Sequence, residues 1–234
     1  ITAFERYLKE ACGLARNTAA KYLECFRKVL KVAQQKGWME HGKFLEELGQ
    51  LCVKEETYPS FLDWDELRTV MEIDMPAGRL ERVKDVFVFC ALTGLSYQGI
   101  STLCPSHLFR DDEGTQWICR TRAEGAKVGD SCTSRVPLLK PAMVLLEKYK
   151  GWNPMNPEGP CFPVPSVQKM NEYLKEVAVR CRISKRLTTQ MARNTFAATV
   201  TLANRIPKEH VREMLGYSSD YMLRHYMQAQ ERNP

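Results

Sequence analysis

The sequence predicts a mainly α-helical protein with two domains and one small antiparallel β-meander inside the second domain. Three observations lead to this fold class. Apolar residues recur at three- and four-residue spacing along most of the chain. A polar stretch that contains proline, KEETYPSF at 54–61, separates two apolar patterns. Strand-like composition is confined to residues 115–138. A chain of 234 residues has room for one or two domains with a sizeable core.

The first domain, residues 1–55, is predicted to be helical. The first twelve residues have one apolar helical face, and Gly13 ends that helix. A second helix is expected to begin near Asn17 or Thr18, because both residue types are good N-caps. Residues 42–50 are expected to form a further short helix.

The second domain, residues 60–234, is predicted to begin with a capped helix. Asp63 and Glu66 have the spacing of a capping box. A strongly apolar helix follows and ends at Gly94. The segments TQWICRT and SRVPLL are predicted strands on either side of a long glycine-containing hairpin loop. The remaining predicted helices lie at 141–150, about 166–182, about 188–205, 207–215 with Pro207 at its first position, and about 219–229.

The charge distribution favours a polyanionic partner. The net charge is +6, and residues 1–38 contain eight Lys or Arg against three Glu. Residues 181–234 contain nine Lys or Arg against four acids, so both ends are basic. No apolar run approaches the ~20 residues that a membrane span needs, and no secretory leader opens the sequence. We therefore expect a cytoplasmic protein without a membrane partner. The start at Ile1 rather than Met indicates a fragment of a longer chain.

The cysteines and histidines do not predict a metal site. There are nine cysteines, and the smallest spacing between two of them is 13 residues, as between Cys12 and Cys25. This spacing excludes the paired CxxC pattern of zinc and redox motifs. The expectation is no bound metal, with the cysteines as reduced, small apolar core residues of a cytosolic protein.

The C-terminal segment carries the motifs of a known family. Residues 190–197 read QMARNTFA, residues 215–219 read LGYSS, and Tyr226 stands nine residues after Tyr217. These segments resemble the HxxRHTFAT and LGHSS motifs and the nucleophilic tyrosine of the tyrosine recombinase (phage integrase) family. The likeness is greatest to integrases of bacterial conjugative transposons and related mobile elements. Upstream, ALTGLSYQGISTL at 91–103 resembles the family's TGLRxxEL, and residues 1–50 resemble its helical, SAM-like core-binding domain.

The resemblance implies site-specific recombination or integration of DNA through a 3′-phosphotyrosyl intermediate. In this family a tyrosine attacks a phosphodiester, arginines and a histidine-type donor stabilise the transition state, and a lysine protonates the departing 5′ oxygen. No metal or nucleotide cofactor is implied. The catalytic residues that it assigns here are Tyr226, Arg193, Lys127, Gln190, Tyr217 and Ser96.

Several of these positions depart from the family pattern. Ser96 stands where the first arginine belongs, and Gly99 where an acid usually follows. Gln190 and Tyr217 replace two histidines, although both side chains can still donate hydrogen bonds. The position of the catalytic lysine depends on the alignment. The tightest alignment places Glu124 there, and Lys127 is the nearest lysine if the loop is longer. Three hairpin arginines are candidates to replace the first arginine, with Arg122 the first choice: Arg120, Arg122 and Arg135.

The resemblance also implies a partner, double-stranded DNA. The expected form is a C-shaped clamp, with a tetramer assembled on the DNA of the nucleoid. The predicted DNA-binding residues are Lys21, Arg27, Lys28, Lys31 and Arg122. Two other functions remain open at this point: a degenerate family member that binds DNA without cutting it, and a relaxase like the type IB topoisomerases.

Overall fold

The chain folds into two compact units, Ile1–Thr57 and Tyr58–Pro234. A computed structural model describes residues 2–39, 44–55, 57–121 and 133–232. Within these ranges, no helix has the length and apolar character needed to cross a membrane. Nor does any group of three His, Cys, Asp or Glu side chains among them have a metal-site arrangement.

The first unit is a small helical domain. Its helices are α1 (Thr2–Arg6), which continues as a π-helical turn (Tyr7–Ala11), α2 (Arg16–Gln35) and α3 (Phe44–Leu51). Its core is formed by Leu8, Ala19, Leu23 and Leu48. Helix α2 begins one residue before Asn17, and its N-cap is Ala15 rather than either predicted residue. Asn17 instead pairs with the backbone of Glu55, through bonds of 3.0 and 2.8 Å. This contact ties the start of α2 to the end of the unit.

The second unit is built around α5. Its helices are α4 (Trp64–Glu72), α5 (Arg79–Thr93), α6 (Tyr97–Ser101), α7 (Lys140–Lys148), α8 (Val167–Arg180), α9 (Thr189–Thr195), α10 (Lys208–Leu215) and α11 (Tyr221–Arg232). Eleven of the fifteen residues of α5 are buried, and it packs against α4, α7, α8 and α9. The predicted capping box is confirmed, because Asp63 Oδ1 accepts from the Glu66 N–H at 2.9 Å and Glu66 Oε2 from the Asp63 N–H at 3.0 Å.

The predicted β-meander is confirmed as a three-stranded antiparallel sheet. Its strands, in spatial order, are β1 (Leu108–Arg110), β2 (Gln116–Thr121) and β3 (Thr133–Pro137). Ile118 of β2 lies opposite Val136 of β3, and both are buried, so this face joins the core. Strand β1 was not predicted, because three residues are too few to establish an alternating pattern.

The predicted helix over about 188–205 consists of three helical types in sequence. Helix α9 continues as a π-helical segment, Phe196–Thr201, in which all six residues are buried, and then as a 3₁₀ turn, Leu202–Asn204. The following helix, α10, begins at Lys208 with Pro207 as its N-cap, one position later than predicted.

The expectation that the cysteines are core residues was only partly correct. Cys90 and Cys181 are buried, but Cys12 and Cys25 are exposed on the first unit. The other described cysteines lie between these extremes.

Candidate active site

Arg193 connects three segments of the second unit. From α9 its Nη1 donates to the carbonyl of Gly94, at the end of α5, and its Nη2 donates to the carbonyl of Leu215, at the end of α10. Its Nε lies 3.4 Å from the Tyr217 hydroxyl, and its guanidinium carbon lies 5.0 Å from the centre of the Tyr217 ring. Each guanidinium nitrogen therefore has a protein acceptor.

Glycines at the C-terminal ends of α5 and α10 make this arrangement possible. Gly94 ends α5 with φ of 70°, and Gly216 ends α10 with φ of 62°, in the left-handed region that favours glycine. A Cβ at Gly94 would lie 2.5 Å from a ring carbon of Phe196 and 2.9 Å from a methyl group of Leu215. A larger residue at 94 would separate the two carbonyls that Arg193 holds.

Tyr226 is fully buried in α11, with 0% of its surface exposed. Its hydroxyl donates to Asn194 Oδ1 at 3.1 Å and lies 3.3 Å from the Tyr217 hydroxyl. Burial raises the pKa of Tyr226, and the hydrogen bond with Tyr217 raises it further, while the nearby Arg193 lowers it. The phenol is consequently neutral at neutral pH in this arrangement.

Asn194 is the centre of a polar cluster and is the one member of it that was not predicted from the sequence. Its Oδ1 accepts from Gln190 Nε2 at 3.0 Å as well as from Tyr226, and its Nδ2 donates to the Ser60 carbonyl at 2.9 Å. The sequence did contain a signal for Asn194 as a site residue, because it stands where the family motif HxxRHTFAT has its second histidine.

Four of the predicted site residues thus belong to one hydrogen-bonded cluster, which we call the Arg193 cluster. It consists of Gln190, Arg193, Asn194, Tyr217 and Tyr226. Arg193 is its only cation, and all five side chains are within the part of the chain that the structure describes. The cluster contains one guanidinium, two phenols and two amides, which are groups that can donate hydrogen bonds to a phosphate.

Ser96 has a local structural role. It is the N-cap of α6, and its Oγ accepts from the Gly99 N–H at 3.1 Å. A Cβ at Gly99 would lie 3.3 Å from Leu95 side-chain atoms and 3.4 Å from Ser96 Oγ. A side chain at position 99 would therefore require small shifts of Leu95 and Ser96.

We predict that Ser96→Ala lowers the free energy of unfolding by about 1 kcal/mol, because it removes an N-cap acceptor. Ser96→Asp retains an acceptor and should stay within about 0.5 kcal/mol of the natural protein. Urea unfolding followed by circular dichroism measures both variants. Equal stability of the alanine and aspartate variants would contradict the capping role.

The remaining predicted residues of the hairpin lie partly outside the described residues. Lys127 and Arg122 are both in the segment that the structure does not describe. Arg120 is described: it donates to the Gly99 carbonyl and, at 2.7 Å, to Thr102 Oγ1. Arg135 is exposed on β3. Which of these arginines takes the place of the family's first catalytic arginine stays a prediction.

The predicted DNA-binding residues on α2 differ in their surroundings. Lys21, Lys28 and Lys31 are exposed, and Lys28 lies 3.7 Å from Glu24. Arg27 is half-buried and its Nε donates to the Leu45 carbonyl at 3.1 Å. The three lysines are therefore exposed to solvent, with Lys28 ion-paired to Glu24, whereas Arg27 links α2 to the start of α3.

Comparisons with known proteins identify similar folds. Residues 1–48 match the phage integrase SAM-like domain. The chain is similar to the solved XerA recombinase, with 16% identity, a TM-score of 0.57 and coverage of 100% of this chain and 82% of that one. It is also similar to the Tn1549 transposon integrase in complex with transposon right end DNA, with 15% identity, a TM-score of 0.71 and coverage of 98% and 82%.

A third similar structure is a lambda integrase dimer bound to a COC′ core site, with 14% identity and a TM-score of 0.68. The match covers 99% of this chain and 64% of that one. No curated protein sequence matches the chain. The structural matches confirm the predicted fold class, a mainly helical two-domain recombinase fold.

Proposed function

We propose that this chain, which has the fold of the tyrosine recombinases and begins with a phage integrase SAM-like domain, is a site-specific DNA recombinase or integrase. The observation that carries the proposal is the Arg193 cluster. It joins side chains from α9, from the segment after α10, and from α11, which are the three places where the family has its phosphate-binding residues and its nucleophile. Family resemblance alone does not require these side chains to meet.

The proposed reaction is a transfer of a DNA phosphodiester to Tyr226. The Tyr226 oxygen forms a bond to phosphorus, the bond from phosphorus to the 5′ oxygen breaks, and the phenolic proton is released. Arg193 stabilises the charge on the non-bridging oxygens, with Gln190 and Tyr217 as neutral donors. Lys127 protonates the departing 5′ oxygen as general acid. Attack by the 5′-hydroxyl of another strand reverses the step and frees Tyr226.

Cleavage requires α11 to move. Tyr226 has no exposed surface, and its hydroxyl is engaged by Asn194 and Tyr217. A phosphate can reach the hydroxyl only if these two contacts open.

The direct test is formation of a covalent adduct with DNA. A duplex pool with a randomised core is first selected for binding to the protein, and the selected duplexes are then nicked at successive positions across the site. A nick beside the cleavage position releases a short fragment and traps the adduct. A protein–DNA species that survives sodium dodecyl sulfate and disappears after protease treatment supports the proposal. Its absence at every nick position would overturn the cleavage function.

A second function is favoured by a specific observation, the small number of charged side chains at the positions that correspond to the family's catalytic residues. Ser96, Gly99, Gln190 and Tyr217 are all neutral where the family has charged or titratable residues. Such a site suits a protein that binds DNA without cutting it. Tight binding of the selected duplexes without an adduct, both in the natural protein and in Ser96→Arg, would establish this second function.

Both functions predict salt-dependent DNA binding through α2. We expect log Kd to rise with log salt concentration by about 0.9 for each neutralised phosphate, and the double substitution Lys28→Ala with Lys31→Ala to reduce that slope by about 2. Binding to the selected duplexes and to an unselected duplex should weaken alike, because phosphate contacts carry no sequence information. Fluorescence anisotropy across a salt series measures this.

The control is Lys175→Ala, which removes an exposed lysine from α8 of the second unit. It should leave the affinity and the slope unchanged. An affinity that is the same at low and physiological salt would contradict DNA binding altogether.

A further inference from the structure

Asn194 is a buried residue of α9 whose amide group is held in one orientation. Its Nδ2 donates to the Ser60 carbonyl at 2.9 Å, and a carbonyl oxygen can only accept. The amide oxygen, Oδ1, must therefore point the other way. There it accepts from the Tyr226 hydroxyl at 3.1 Å and from Gln190 Nε2 at 3.0 Å. The Ser60 carbonyl thus determines which atom of Asn194 faces Tyr226.

The segment that orients this amide is itself tied to α9 and its π-helical continuation. The Leu62 N–H donates to Thr195 Oγ1 at 3.0 Å, and Thr199 Oγ1 donates to the Leu62 carbonyl. Both threonines are buried. The segment cannot shift along the helix without breaking buried hydrogen bonds, which is costly. The Ser60 carbonyl therefore stays in the place where it orients Asn194.

The single proton of the Tyr226 hydroxyl is engaged by Asn194. Because Asn194 Oδ1 can only accept, the hydroxyl is the donor in this bond. In the 3.3 Å contact between the two phenols, Tyr217 is consequently the donor and Tyr226 the acceptor. An amide oxygen is not a base, so Asn194 holds the proton on the phenol without removing it. The bond stabilises the buried position of Tyr226 and does not activate its oxygen.

We infer that Asn194 is a positioning residue that holds the proposed nucleophile in a closed position, and that its bond to Tyr226 must open before a phosphate can reach the hydroxyl. The inference rests on the proposed function for the identity of the nucleophile. The closed position is a property of the free protein, so it can be measured without DNA. Since the bond belongs to the free protein and not to the reacting complex, its removal should favour the reaction.

The test is the exposure of Tyr226 in the free protein. N-acetylimidazole acetylates tyrosine hydroxyls that reach solvent, and peptide mass spectrometry follows each tyrosine over time. Acetylation of the fully buried Tyr226 requires local opening, so its rate reports the population of the open form. Asn194→Leu nearly keeps the shape of the side chain but removes the acceptor, and it should raise the acetylation rate of Tyr226 about tenfold. The exposed Tyr221 should react at the same rate in every variant.

Two further variants distinguish the bond to Asn194 from general loosening. Thr195→Val removes a buried hydrogen bond to the same segment without a contact to Tyr226, and Tyr217→Phe removes the second polar contact of Tyr226 while Asn194 Oδ1 still accepts. Both should acetylate Tyr226 at close to the natural rate. A natural rate in Asn194→Leu would overturn the inference, as would an equal rise in either of the other two variants.

A reporter of global unfolding is present in the same unit. Tyr149 is buried and its hydroxyl donates to Asp85 at 2.9 Å, so its acetylation should stay slow while the protein is folded. If Tyr149 shows that Asn194→Leu is unfolded, Asn194→Ala takes its place, because it also lacks the acceptor and brings no methyl group against the Ser60 carbonyl. The same expectation and the same contradicting result apply to it.

The consequence for cleavage is measured on the nicked selected duplexes at subsaturating DNA. Asn194→Leu should form the adduct faster than the natural protein, by about the same factor as for acetylation. Slower adduct formation together with faster acetylation would show that the reacting complex needs Asn194, and would overturn the inference. Absence of an adduct in every variant would refute the cleavage function alone, and the acetylation rates would still decide whether Asn194 holds Tyr226.

Discussion

Tyr226→Phe is expected to abolish the covalent protein–DNA adduct while the protein stays folded and keeps its affinity for DNA. The substitution removes one hydroxyl and leaves the ring in its buried position in α11. The lost hydrogen bonds should cost about 1 kcal/mol of stability, because Asn194 Oδ1 retains its donor in Gln190. Adduct formation on the nicked selected duplexes, together with urea unfolding, measures both effects.

The matched control is Tyr221→Phe, which removes a hydroxyl from an exposed tyrosine five residues earlier on the same helix. This variant should form the adduct at the natural rate. An adduct that persists in Tyr226→Phe would show that another residue is the nucleophile, and the assignment of Tyr226 would be wrong.

Arg193→Ala is expected to damage both stability and cleavage. It leaves the carbonyls of Gly94 and Leu215 without their donor in a largely buried place, which should cost about 3 kcal/mol. Removal of the single cation of the cluster should lower the cleavage rate by at least about 10²-fold. Urea unfolding gives the first value, and single-turnover cleavage at a temperature where the variant is folded gives the second.

Arg180→Ala is the control for the loss of an arginine, since Arg180 is exposed at the end of α8. It should change stability by less than about 0.5 kcal/mol and leave cleavage unaffected. Cleavage by Arg193→Ala at the natural rate would refute the proposed site, because no other cation in the described cluster could replace it.

The secondary structure was predictable because most of it depends on neighbours in sequence. The capping box of Asp63 and Glu66, the end of α5 at Gly94 and strands β2 and β3 each have a local signature, and the structure contains all of them. The start of α2 was not predictable from capping preference, since Asn17 is engaged by Glu55, 38 residues away. Long-range contacts override local preference in this way.

Most residues of the candidate site were predictable from the sequence, but their hydrogen bonds were not. The motifs indicated Arg193, Tyr217 and Tyr226, and these side chains do meet. The motifs gave no indication that Arg193 bonds two carbonyls, because backbone acceptors have no signature in sequence. The motifs placed Ser96 at the position of the family's first catalytic arginine. Its role as an N-cap follows from the turn after Gly94, which only the three-dimensional fold shows.

The π-helical segment after α9 determines where this chain can change in length. A π turn contains one residue more than the α-helical turn that it replaces. In a regular α-helix, the gain or loss of one residue rotates the residues on its two sides by about 100° relative to each other. The longer π turn holds an extra residue without that rotation, so its six side chains stay buried and Gln230 Nε2 keeps its 2.7 Å bond to the Ala198 carbonyl. Among descendants of this sequence, single-residue deletions in this buried helix should therefore be confined to 196–201, while longer insertions and deletions accumulate in the largely exposed stretch 203–210.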